Sequence, residues 1–118
     1  MALIYKILAA ADWRAMQATG RYDGSADDRR DGFIHLSSRE QLAGTLAKHF
    51  QGQDNLLLLA VDDSALAATA LKWEPSRGGA LFPHLYAPLP LSAVAWAEVL
   101  TSADDGSPVL PSRMMADG

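Results

Sequence analysis

The chain has no cysteine among its 118 residues, which excludes a disulfide framework and thiolate chemistry. No apolar run approaches the ~18 residues that suggest a transmembrane helix, so no membrane partner is expected. The amino terminus, Met1-Ala2-Leu3-Ile4-Tyr5-Lys6, lacks the basic region of a signal peptide and reads at once as a strand; a cytoplasmic location is the default expectation. An excess of positive charge is missing too. Ten Lys and Arg stand against fourteen Asp and Glu, for a formal charge of −4, which argues against broad nucleic-acid binding.

Nearly half of the residues are apolar and a fifth are charged, the balance of one globular domain with one core. Residues 1–103 read as that domain. Residues 104–118 carry two prolines and no periodicity, and read as a loosely ordered tail. No internal repeat is visible.

The most informative stretch is Asp31-Gly32-Phe33-Ile34-His35-Leu36-Ser37-Ser38. Phe33 to Ser37 alternates with period two, so Phe33, His35 and Ser37 share one strand face and Ile34 and Leu36 the other. Ser38 is a good N-cap, and Gln41 three residues on completes a capping box. The polar groups of His35, Ser37 and Ser38 thus lie beside the positive end of a helix, where anionic or hydroxylated ligands are held. A second stretch, Phe82-Pro83-His84-Leu85-Tyr86, again alternates and puts Phe82, His84 and Tyr86 on one face. A lone strand histidine is ordinarily a core residue bonded to backbone. Two of them, each followed two residues on by a hydroxyl side chain, make a shared site the better reading.

Along the chain, Leu3 to Ala9 reads as a strand, and Asp12 as the cap of a helix from Trp13 to about Ala18 that Gly20 ends. Gly20 to Asp31 reads as a polar surface loop from which Arg21 and Tyr22 reach a ligand. Arg39 to about Phe50 is the clearest helix, with Leu42, Leu46 and Phe50 at helical spacing; His49 near its end reads as structural or solvent-facing. Asn55 to Val61 is a strand buried on both faces. Asp62 or Asp63 caps a short helical turn through Ala68. Thr69–Glu74 and Ala80–Tyr86 flank the turn 75–79 as a hairpin-like pair, and Ala93–Leu100 is the last strand. Five or six strands and two or three short helices, with the helices early and most strands late, argue for an α+β fold.

Trp13, Gly20, Tyr22, the stretch Asp31–Ser37, Trp73-Glu74 and the stretch Phe82–Tyr86 together resemble domain of unknown function 952, a family of small bacterial proteins. The resemblance covers about residues 3–100. It implies a fold similar to that of ADP-ribosyltransferases: a split, mostly antiparallel sheet with two or three short helices and an NAD cleft between its halves. It implies that His35 helps hold a ribose hydroxyl and Ser37 the nicotinamide amide, with Tyr86 as the stacking residue and Glu74 or Glu98 as the orienting glutamate.

The chemistry expected of His35, His84, Glu74 and Glu98 is therefore ADP-ribosyl transfer or glycohydrolysis, with NAD as substrate or ligand. A carboxylate stabilises the positive charge that develops on the sugar carbon, and imidazoles move protons near neutral pH. Phosphoryl chemistry with His84 as acid or base is an alternative, for which Arg14, Arg21 and Arg77 are candidate phosphate contacts. A binding module that holds a small nucleotide-like ligand without reacting it is the other class. A three-ligand metal site of two His and a carboxylate is the third and least favoured reading, since no His-x-x-x-His spacing or cysteine appears. Trp73 and Trp96 are open between core and interface.

Overall fold

The computed structural model describes residues 2–76, 79–112 and 114. The elements run in chain order as β1 Leu3–Ala9, α1 Ala10–Thr19, β2 Arg21–Tyr22, α2 Ala26–Asp31, β3 Ile34–His35, α3 Leu42–His49, β4 Leu56–Asp62, β5 Leu71–Pro75, β6 Leu81–Leu85, β7 Leu89–Pro90, β8 Val94–Val99, β9 Thr101–Ser102 and β10 Pro108–Val109. Short 3-10 turns at Arg39–Gln41, Asp63–Ala65 and Leu91–Ala93 join them. The fold is α+β, with antiparallel strand pairs and a few short helices.

The unbroken apolar run Leu56–Val61 takes the centre of one three-stranded sheet, in the order β1-β4-β8, because only a strand covered on both faces can hide it. Its alternate residues serve two cores. Leu57, Leu59 and Val61 pack with Ile4, Leu8, Met16, Ile34, Leu85 and Leu89. Leu56, Leu58 and Ala60 pack with Tyr5, Ile7, Leu42, Leu46 and Trp96. Each fully buried Leu contributes about 1.5–3 kcal/mol over its exposed state.

A second three-stranded sheet has the order β3-β6-β5. Its ladder sets His35 directly opposite His84 and Lys72 on the far side of His84. The chain then crosses from one sheet to the other within two residues. Leu36 donates its N–H to the Pro83 carbonyl, and Ser37 exchanges both backbone hydrogen bonds with Tyr5 of β1, at 2.8 and 2.9 Å. This bridge is the seam between the sheets among the described residues.

Several elements differ from expectation. Helix α1 begins at Ala10, straight off β1, and Asp12 lies in its first turn rather than at its cap, where its charge suits the helix dipole. Gly20 does end it, with φ +86 and its N–H on the Met16 carbonyl. The stretch 20–31 is not a loop: it holds β2, paired with β7, and α2, capped by Ser25 in a reciprocal box with Asp28. The 3-10 turn after Asp62 stops at Ala65, short of Ala68, with Ser64 donating to Asp62. The two-residue strands β2, β7, β9 and β10 are too short to show a period, and β3 takes only Ile34–His35 of the alternating stretch 33–37. Trp96 is core, whereas Trp73 on the edge strand β5 is 46% exposed. Of residues 104–118, Pro108–Val109 pair with β9 and Met114 packs in the second core. Arg77 lies outside the described residues, as do residues 115–118. No helix among the described residues is long and apolar enough to cross a membrane.

Candidate functional site

The seam between the sheets opens into a cleft of ≈ 340 Å³. His35, Ser37 and His84 line it together with Lys6 and Tyr5 of β1, Asp28 and Asp31 of α2, and Thr45 and Lys48 of α3. Period-two geometry brings the histidines there: they are cross-strand partners, so both side chains leave the same face of the sheet. Their ring centroids lie 5.7 Å apart. Phe33 shares that face, stacks on His84 at 4.0 Å and sits 4.6 Å from His35.

Asp28 organises the His35 side. It is 2% exposed, yet every lone pair finds a donor. Oδ2 accepts from Lys6 Nζ at 2.9 Å and from the Ser25 N–H at 2.9 Å; Oδ1 accepts from the His35 N–H at 3.1 Å and lies 2.6 Å from His35 Nδ1. Burial pushes this carboxyl up, but the hydrogen bond from His35 and the charge of Lys6 more than offset that, holding it well below the usual carboxylate range. Gly24 makes room for it. A Cβ there would come 2.8 Å from that of Asp28, and its φ of +113 is one that only glycine adopts freely. Lys6 completes the network by donating to the His35 carbonyl at 3.0 Å. The other His35 nitrogen, Nε2, lies 2.9 Å from Asp31 Oδ2.

His84 is anchored differently. Nδ1 lies 2.9 Å from Glu74 Oε1, and the same oxygen accepts from the Tyr86 hydroxyl at 2.6 Å. Those two donors, Tyr86 first, keep the Glu74 carboxyl below its ordinary value. An ionised Glu74 holds the proton on Nδ1 and leaves His84 Nε2 as the acceptor. No buried side-chain nitrogen or oxygen lacks a partner among the described residues.

The expected site residues fall into three groups. His35, Ser37 and His84 line the cleft; Ser37 is buried, its hydroxyl 3.0 Å from that of Thr45. Glu74 and Tyr86 are joined to His84 without lining the cleft, and the exposed Tyr86 ring lies 5.2 Å from Phe33 and from Lys72 Nζ. The rest lie elsewhere. Glu98 is on β8, separated from β1 by β4. Tyr22 does not project from a loop; it packs in the first core, and burial raises its phenol. Arg21 is exposed and pairs with Asp23 at 3.2 Å. Ser38 caps the turn into α3, its N–H donating to Gln41 at 2.9 Å. His49, expected at the surface, is exposed but lines the cleft rim.

Lys6 and Asp28 were absent from the expected site, though both left signals. Lys6 interrupts an otherwise apolar strand, and a charge buried there needs a partner. Ser25-Ala26-Asp27-Asp28 has the spacing of a capping box.

Residues 7–97 match the model of a family described as protein of unknown function (DUF952). The crystal structure of protein CC0527 from Caulobacter crescentus is similar to this chain at 54% identity, with a TM-score of 0.90 over 96% of this chain and 98% of that one. The solution structure of CC0527 has 56% identity and a TM-score of 0.81 over 92% of each chain. No curated protein matches the chain.

Proposed function

We propose that this chain, which belongs to the DUF952 family, binds a nucleotide-like ligand of the NAD or ADP-ribose type in the seam cleft, on a sheet split in the manner of ADP-ribosyltransferases. The observation that carries this reading is the convergence of His35, Ser37 and His84 on one opening where two antiparallel sheets meet through the Tyr5–Ser37 bridge. The volume of ≈ 340 Å³ is at the small end of ligand pockets, which span about 300–1,000 Å³. It suits one ribose with its base or phosphate, the remainder of a dinucleotide lying along the open rim.

The Glu74–His84 pair supports chemistry as well as binding. Held with its proton on Nδ1, His84 takes a proton at Nε2 from an incoming water or acceptor hydroxyl. That oxygen bonds to the ribose carbon as the bond to nicotinamide breaks and nicotinamide leaves. Glu74 acts through His84 and is a positioning residue.

Titration calorimetry with NAD and ADP-ribose tests the reading. Wild-type protein is expected to bind at least one of them, and His35→Gln and Ser37→Ala to weaken binding. Nicotinamide release from NAD is expected to stop in His84→Gln while binding survives. NAD that binds and stays intact would make the cleft a binding module, and failure of every nucleotide to bind would overturn the reading.

A further inference from the structure

His35 is gripped by two carboxylates of opposite character. Asp28 is buried and holds four donors. The Asp31 side chain is 35% exposed, and its remaining partner is Arg30, its own chain neighbour, at 3.1 Å. Asp31 is also the last residue of α2, before Gly32 at φ +86. Rotating its side chain away from Nε2 disturbs no core contact, whereas moving Asp28 would break the capping box, the Lys6 pair and the His35 backbone bond.

The cations of the cleft are unequally used. Lys6 is committed to Asp28, and Arg30 pairs with Asp27 at 3.2 Å as well as with Asp31. Lys48 lines the same cleft and has no ion-pair partner among the described residues. Withdrawal of Asp31 would therefore uncover the Nε2 position in a cleft that Arg30 and Lys48 also line. A neutral hydroxyl offers these cations no counter-charge; an anionic oxygen does.

We propose that Asp31 is a displaceable occupant of the His35 Nε2 position, and that the ligand seats an anionic phosphate oxygen there in its place. This rests on the nucleotide reading above and sharpens it. His35 receives phosphate, with Asp28 as the residue that aims the ring and Asp31 as the one that sets affinity by competing for it.

Calorimetry on wild type, Asp31→Asn and Asp31→Ser with three probes tests this: ADP-ribose, inorganic pyrophosphate and the phosphate-free adenosine. Both substitutions remove a competing, repelling carboxylate. They are expected to tighten ADP-ribose and pyrophosphate by roughly fivefold, the scale of a part-exposed ion pair, and to leave adenosine unchanged. Lys48→Met is expected to weaken both phosphate probes, and His35→Gln to erase the gain from Asp31→Asn. Unchanged melting temperatures in the Asp31 variants establish that they fold. A gain for pyrophosphate with no binding of ADP-ribose or NAD keeps the anion seat and overturns the nucleotide reading. NAD or ADP-ribose binding that Asp31→Asn fails to tighten overturns the seat and keeps the reading. An equal gain for adenosine, or no binding of any probe, also overturns the seat.

Discussion

In the sheet β1-β4-β8 the central strand has no polar side chain before Asp62, and its six preceding residues are all buried. In β3-β6-β5 the central strand carries His84, faced by His35 on one side and Lys72 on the other. The two sheets have the same strand number and the same antiparallel pairing, yet one spends both faces on packing while the other keeps one face for polar contacts. Each imidazole on that face is met by a carboxylate: His84 of the central strand by Glu74 from the neighbouring strand, and His35 of the edge strand by Asp28 from a helix.

That contrast can be broken at four points. The largest effect is expected where the sheets meet. Asp28→Ala leaves the Lys6 ammonium buried without its partner, and chemical denaturation should show a loss of about 3–5 kcal/mol. Adding Lys6→Met should recover most of it; a double variant no better than the single one would mean that the loss does not come from the unpaired Lys6. Next comes the packing sheet, where Leu59→Ala should cost about 2–5 kcal/mol through the cavity it leaves.

A graded effect follows from pH. The Asp28 carboxyl titrates lower in the native state than in the unfolded chain, where its pKa is about 4. Its stabilisation is complete above that value. It is lost as the pH falls from there through the depressed native value, because the unfolded chain binds a proton that the native state does not. The melting temperature of wild type should fall between pH 5 and pH 3 more steeply than that of Asp28→Asn, by ~1 kcal/mol or more in derived stability; parallel curves would rule out Asp28 as the source. The smallest effect is expected at the outer end of the polar sheet. Tyr86→Phe removes the exposed hydroxyl from Glu74 and should shift the melting temperature by no more than about 2 °C. It should nonetheless lower nicotinamide release if Glu74 tunes His84.

Much of the packing sheet was legible in the residues. Length makes Leu56–Val61 read as a covered strand, and helical spacing turns Leu42 and Leu46 to a core. The hairpin of β5 and β6 followed from the turn chemistry at 75–79. The polar sheet was legible in part. Alternation places His35 with Phe33, and His84 with Tyr86, on single faces, and the Phe33 ring meets the other three. Glu98 is a candidate orienting glutamate because it is a carboxylate on a late strand, and nothing in the chain order reveals that β4 stands between β8 and β1. Tyr22 lies among polar residues, which is the pattern of a loop. A two-residue strand paired with β7 turns it inward instead, and no local pattern announces so short a pairing.

Local chemistry specifies what acts within a few residues: the alternation of strands, the glycine stop after α1, the Ser38 cap of the turn into α3, the burial of an unbroken apolar run. These depend on φ/ψ preferences and side-chain period, which neighbours along the chain decide. Which charges meet is settled by packing. Lys6 and Asp28 are 22 positions apart, and Lys6 and the His35 carbonyl 29. They pair next to the place where Ser37 crosses from one sheet to bridge Tyr5, the neighbour of Lys6, in the other. A buried charge must find its counter-charge wherever the fold brings one, and that partner is set by packing geometry, which no spacing along the chain encodes.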